Sequence, residues 1–157
     1  MFQLYLGNSI EEMKKIPSNS VDAIITDPPY NTGMDNSNKE YRRPELNTDQ
    51  KDQRNGGRLL YFFNDKYTKE EYIDLIENFY LQVYRVLKDD RGVFIFMGWK
   101  NVGYWQIHNP TSLELKNIIV WDKKIHGLGY QNYAHTHEFI MFYTKGNFFP
   151  NNKIQDC

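Results

Sequence analysis

The sequence predicts an α/β domain in which helices lie against a mixed sheet, and three observations carry that expectation. Val21 to Thr26 and Val93 to Met97 are apolar runs of strand length, the second unbroken and suited to the middle of a sheet covered on both faces. Between them Tyr72, Leu75, Ile76, Phe79, Val83, Val86 and Leu87 recur at steps of three and four, which gives a long helix one buried face. Alternating strand and helix at this spacing implies layers.

Taken in order, Phe2 to Leu6 reads as a first buried strand. Ser9 then caps a helix in a capping-box arrangement with Glu12, and Pro17 helps to end it. Val21 to Thr26 follows as the second buried strand. Thr68 and Glu71 form another capping box at the start of the long helix. Gly92 opens the strand Val93 to Met97, Asn101 to Ser112 holds a short helix, and Asn117 to Trp121 and Glu138 to Tyr143 are two further strands.

At 157 residues, with 40% hydrophobic and 16% aromatic side chains, the chain is expected to form one domain over 1–157 with a mobile loop over 31–60. No apolar run is long enough to span a membrane and Met1 to Gly7 lacks the regions of a signal peptide, so a soluble, cytoplasmic protein is expected. The single cysteine, Cys157, leaves no internal disulfide and no cysteine cluster for zinc. Nineteen basic and twenty acidic residues give a net charge of −1, so any nucleic-acid contact must be local. The segment from Lys39 to Arg58, with Arg42 and Arg43, is either a solvated loop or a surface that follows phosphates.

Asp27-Pro28-Pro29-Tyr30 ends the second strand and is the most informative stretch of the chain. Two prolines fix φ and remove two backbone donors, so the turn is stiff and its carbonyls are free. The Asp27 carboxylate and the Pro28 carbonyl can each accept a hydrogen from an exocyclic amine, while Tyr30 offers a face for a heterocycle. The plain alternative is a turn that merely ends a strand.

This turn, with Tyr67-Thr68-Lys69-Glu70-Glu71-Tyr72, Arg85-Val86-Leu87-Lys88, Ile118 to Lys123 and His137-Glu138, resembles the DNA amino-methyltransferases. The resemblance covers almost the whole chain. It implies a Rossmann-like, S-adenosylmethionine-dependent methyltransferase sheet with flanking helices, and transfer of a methyl group to adenine-N6 in double-stranded DNA. The target base would be flipped out of the duplex. By the same resemblance Asp27, Pro28, Pro29 and Tyr30 are catalytic, Asn8, Asp27 and Pro28 face the cofactor, and Tyr30, Asn31, Arg42, Arg43 and Lys123 contact the DNA. The alternatives are a cytosine-N4 enzyme, a non-catalytic remnant or subunit that binds DNA or a partner chain, and methylation of a protein glutamine amide.

The chain departs from the family pattern in two places. Gly7-Asn8 stands where the family has Gly-Asp, which leaves a polar side chain but no charge beside the cofactor's adenine. The Phe-x-Gly-x-Gly loop that cradles the cofactor, and two strands with it, have no counterpart in the sequence. The expectation is therefore that Phe2 to Leu6 pairs directly with Val21 to Thr26 in a rearranged sheet, or that a second chain or a missing C-terminal segment completes the site.

Three weaker candidates stand apart. His135, His137 and Glu138 suggest either a metal site or a polar cluster at the start of a strand, and no metal is expected. Lys123 is either a phosphate contact or a solvated lysine. Trp99 and Lys100 follow a strand end on the edge where ligands of open α/β sheets collect.

Overall fold

A computed structural model describes residues 2–33, 65–124 and 136–148. Most of the loop expected over 31–60, Arg42, Arg43, His135 and Cys157 lie outside the described residues. Within them the elements run α1 (Ser9–Met13), β1 (Val21–Thr26), α2 (Lys69–Val86), β2 (Leu87–Met97), α3 (Val102–Ile107), β3 (Glu114–Asp122) and β4 (His137–Lys145). The four strands form one sheet in the order β1-β2-β4-β3. β1 and β2 are parallel, joined through α2, and the β2–β4 and β4–β3 pairs are antiparallel.

α2 starts where the sequence places it. The Thr68 side chain accepts from the Glu71 amide and the Glu71 carboxylate accepts from the Thr68 amide, so the capping box is complete. The apolar stripe of α2 meets Val93, Ile95, Met97, Met141 and Tyr143, which share one face of the sheet. Trp105 of α3 is fully buried there, edge-on to Tyr72, Phe79 and Tyr80. Arg85 of α2 donates to the carbonyls of Met13 (2.7 Å) and Ile16 (2.8 Å), which fastens the end of α1 to α2.

The helices α2 and α3 place their buried residues on this one face, and α1 packs the partly buried Ile10 and Met13 against the same cluster. The other face presents Ile25, Phe94, Phe96, Ile119, Trp121, Ile140 and Phe142. Phe94 stacks on Phe142 at 4.6 Å and Phe96 meets Trp121 at 5.7 Å, while Ile25 is 72% exposed. β1, expected as a buried strand, thus has no buried residue, and β2, expected to be covered on both faces, has the described helices on one face alone.

Two expectations for the N-terminal region are corrected. Phe2 to Leu6 is not a strand: Phe2 is 87% and Leu6 97% exposed, and β1 pairs with β2 alone among the described residues. An apolar run becomes a strand only where a neighbouring strand takes up its backbone groups, and none of the described strands does. The cap of α1 is Asn8 and not Ser9, because the Asn8 side chain accepts from the amides of Ile10 (2.9 Å) and Glu11 (3.4 Å). The strands β2, β3 and β4 also run further than expected, since polar residues such as Arg91 and Lys145 pair in the ladder. No described helix is long and apolar enough to cross a membrane.

Candidate active site

The carboxyl ends of the parallel strands β1 and β2, the end of β3 and the start of β4 fall on one edge of the sheet. That edge of an open α/β sheet is where ligands collect. It brings together Asp27 to Tyr30 after β1, Gly98 to Asn101 after β2, and Asp122, Lys123, His137 and Glu138 from the β3–β4 pair.

The turn after β1 is held from outside itself, as a segment with two prolines must be. The Tyr72 hydroxyl donates to the Pro29 carbonyl at 3.0 Å, and the Asn101 side-chain amide donates to the Tyr30 carbonyl. Asn31 follows with φ 51°, a left-handed conformation that asparagine tolerates. Asp65 accepts from the amides of Asn31 (2.8 Å) and Thr32 (3.0 Å) and from the Thr32 hydroxyl (2.7 Å). In return the Asn31 side chain accepts from the Tyr67 amide at 2.9 Å. Residues 31–33 and 65–67 are therefore clasped, with the Gly33 amide donating to the Asp65 carbonyl at 3.0 Å.

Asp27 is exposed at the mouth of this turn. The Tyr30 ring is half-buried and lies over the Gly98 backbone, 3.5 Å from where a Cβ would stand. Its hydroxyl is buried beside the Asp27 carboxylate without reaching hydrogen-bond geometry with any described group. Burial, and then the adjacent Asp27 charge, push the Tyr30 phenol well above its ordinary value, so the ring stays neutral. A neutral ring can serve as a stacking face.

Beside the turn, Lys123 and Glu138 form an ion pair at 2.5 Å, with the Lys123 amine also 5.7 Å from the centre of the Trp121 ring. Lys123 is thus committed to a carboxylate as well as facing solvent. Trp99, 54% exposed, carries Lys100 over its ring at 5.7 Å. His137 is exposed with its ring against Phe139, and no group of three or more metal-ligating side chains exists among the described residues.

Of the residues the sequence nominates, Asp27, Pro28, Pro29, Tyr30 and Asn31 come together, with Lys123 on the same edge. Asn8 caps α1, its side-chain oxygen accepting from two amides of that helix. Asp65, Tyr72 and Asn101 carry no sequence signal for the site, and Glu138, which the sequence groups with His137, is instead the partner of Lys123. Their sequence separations from the groups they hold run from 15 for Lys123 and Glu138 to 71 for Asn101 and Tyr30, and no local pattern marks such pairs.

The chain is 29% identical to the Type II methyltransferase M.HpaI of Haemophilus parainfluenzae over 146 residues, which are 91% of this chain and 38% of that protein. It is 25% identical to the DNA adenine methyltransferase YhdJ of Escherichia coli K12 over 140 residues, 88% of this chain and 40% of that protein. The chain thus spans about two fifths of the length of these relatives. The crystal structure of M1.HpyAVI in complex with SAM superposes with a TM-score of 0.58 at 18% identity, over all of this chain and 61% of that one. That likeness shows the fold, a Rossmann-like methyltransferase sheet. The family model described as DNA methylase, which takes in N6- and N4-methylating enzymes, matches residues 21–156, and the chain belongs to that family.

Proposed function

We propose that the chain is the catalytic portion of a site-specific DNA adenine-N6 methyltransferase of the restriction-modification type, acting on cytoplasmic DNA with S-adenosylmethionine as methyl donor. The observation that carries this reading is the turn after β1. It presents an exposed carboxylate, a Pro28 carbonyl that accepts no hydrogen bond among the described residues, and a neutral aromatic ring over a fixed backbone.

The exocyclic nitrogen of adenine is a weak nucleophile because its lone pair is delocalised into the ring. Asp27 and the Pro28 carbonyl accept its two hydrogens, draw the nitrogen toward a tetrahedral shape and localise the lone pair. Asp27 then takes the proton that the nitrogen sheds. Tyr30 stacks on the extruded base, and the Asn31, Arg42, Arg43 and Lys123 region meets the DNA around it. When bound, S-adenosylmethionine supplies an electrophilic methyl group. Among the described residues Asp27 and Pro28 fit the reacting end of that molecule, and Asn8, whose side-chain oxygen caps α1, keeps its side-chain N–H donors for the cofactor's adenine. A completing polypeptide, on the same chain or a second one, would hold the rest, and the edge of β1, unpaired among the described residues, and the exposed face with Ile25 and Trp121 favour such a partner.

The test is methyl transfer from labelled S-adenosylmethionine to unmethylated DNA, followed by digestion to nucleosides. N6-methyladenine is expected, and N4-methylcytosine would overturn the choice of base. Asp27→Ala should reduce transfer by about 10²- to 10⁴-fold, the usual contribution of a positioned acid-base group, with the unfolding midpoint unchanged. Wild-type turnover in that variant would remove Asp27 from the mechanism.

A further inference from the structure

We propose that Tyr72 and Asn101 are positioning residues that decide which carbonyl of the turn meets the substrate amine. The proposal rests on the methyl-transfer reading of the turn. Three carbonyls follow Asp27 in succession, those of Pro28, Pro29 and Tyr30. The Pro29 carbonyl accepts from the Tyr72 hydroxyl at 3.0 Å, and the Tyr30 carbonyl accepts from the Asn101 side chain. With both of these engaged, the Pro28 carbonyl is the one left for a ligand among the described contacts. Neither proline has an N–H, so the turn has no donor of its own at those positions to set this orientation.

The donors are themselves fixed. Tyr72 is 3% exposed, and its oxygen accepts from the indole N–H of the fully buried Trp105 at 2.9 Å. Because that lone pair is used, the Tyr72 O–H is directed to Pro29. Burial pushes the Tyr72 phenol up to about 12, with the Trp105 hydrogen bond opposing, so it remains a donor at neutral pH. Asn101 precedes α3, with its amide donating to the Gly98 carbonyl at 3.0 Å and its carbonyl accepting from the Trp105 amide at 2.9 Å. Trp105 therefore braces both donors, one through its indole and one through its backbone, and couples α2 and α3 to the turn.

Tyr72→Phe and Asn101→Asp each remove a donor at nearly constant shape. The experiment uses the full chain labelled with ¹³C at backbone carbonyls, with the same samples assayed for kcat and for KM toward DNA. In Tyr72→Phe the Pro29 carbonyl resonance should move, and the Pro28 resonance with it, while amide signals of β2 and β4 stay in place. Turnover in either variant should fall by about 10- to 100-fold with KM changed by less than about threefold, because the reacting groups are misplaced rather than removed. Asn101→Asp, on the less buried side of the turn, decides the matter if Tyr72→Phe fails to fold. Unmoved Pro28 and Pro29 resonances in Tyr72→Phe, or an unmoved Tyr30 resonance in Asn101→Asp, would overturn the proposal. So would unchanged kcat in both variants of an active enzyme. A wild-type chain that transfers no methyl group even with the completing polypeptide supplied defeats the functional reading instead, and the carbonyl shifts in the same sample still decide the positioning.

Discussion

Two glycines of β2 and its end look alike in the sequence, yet a single methyl group should destabilise one and leave the other unchanged. A Cβ on Gly92 would lie 2.6 Å from Phe142 Cε2 and 3.2 Å from Cζ. Carbon atoms rest about 3.5–4.0 Å apart, so the overlap is close to 1 Å. The Phe142 ring cannot swing aside freely, since it stacks on Phe94 at 4.6 Å and meets Phe148 edge-on at 5.9 Å. Overpacking of this kind costs about 1–3 kcal/mol, and the lower chain entropy of alanine returns roughly 0.5–1 kcal/mol. Gly92→Ala should therefore lose about 1–2 kcal/mol in urea unfolding, which for a chain of this size lowers the melting temperature by about 2–8 °C. At Gly98 the same methyl would stand 3.5 Å from Tyr30 Cδ2, an ordinary contact, so Gly98→Ala should be neutral within about 0.5 kcal/mol and keep its methyl transfer. A Gly92→Ala protein as stable as the parent would refute the packing of the aromatic face, and inactive but folded Gly98→Ala would refute the placement of the Tyr30 ring.

Arg85→Met keeps the length of the side chain but removes donors from the carbonyls of Met13 and Ile16. A loss of about 2–3 kcal/mol is expected by chemical denaturation, because charged donors are worth more than neutral ones, and a change below the error of the melt would show that solvent replaces them. Tyr30, Tyr72, Tyr80 and Tyr143 are all raised above the ordinary phenol value of 10.0, chiefly by burial. The folded protein then keeps protons that the unfolded chain releases, so stability is full below about pH 10 and falls as pH rises above it, which denaturant melts from pH 8 to 11 would detect. Flat stability through that window would contradict the burial of these phenols. Asn31→Ala should be less stable than Asn31→Gly by about 1 kcal/mol, since both lose the bond from Tyr67 but alanine also carries the left-handed penalty. The reverse order in parallel urea titrations would show that residue 31 is not held in that conformation.

Where a signal is local, the sequence displays it. The Thr68–Glu71 box, the stripe along α2 and the apolar run of β1 each depend on residues a few positions apart, and each is found at its place. The Asp-Pro-Pro-Tyr turn is equally plain, because proline acts on its own backbone. Phe2 to Leu6 shows the limit: composition suits a strand, but a strand also requires a neighbour, and that requirement is not written in the segment. Asn8 outcompetes Ser9 as the cap because its longer side chain spans two amides, a difference of one residue that propensity does not resolve. The bracing of the turn by Tyr72, Asn101 and Asp65 was out of reach for a different reason. Tyr72 reads as one more member of a buried stripe, which it is, and its hydroxyl acquires a second role only once α3 and the turn arrive beside it.

The clasp between residues 31–33 and 65–67 has a consequence for the stretch that joins its two halves. Both ends of the intervening stretch are tied by Asp65 and Asn31 within a few ångströms of each other. Lengthening a connection whose ends are already joined adds only about 0.6 kcal/mol of closure entropy per doubling. Insertions or exchanges in that stretch should therefore cost little stability and leave Asp27 to Tyr30 in place, which urea titrations of such variants would check.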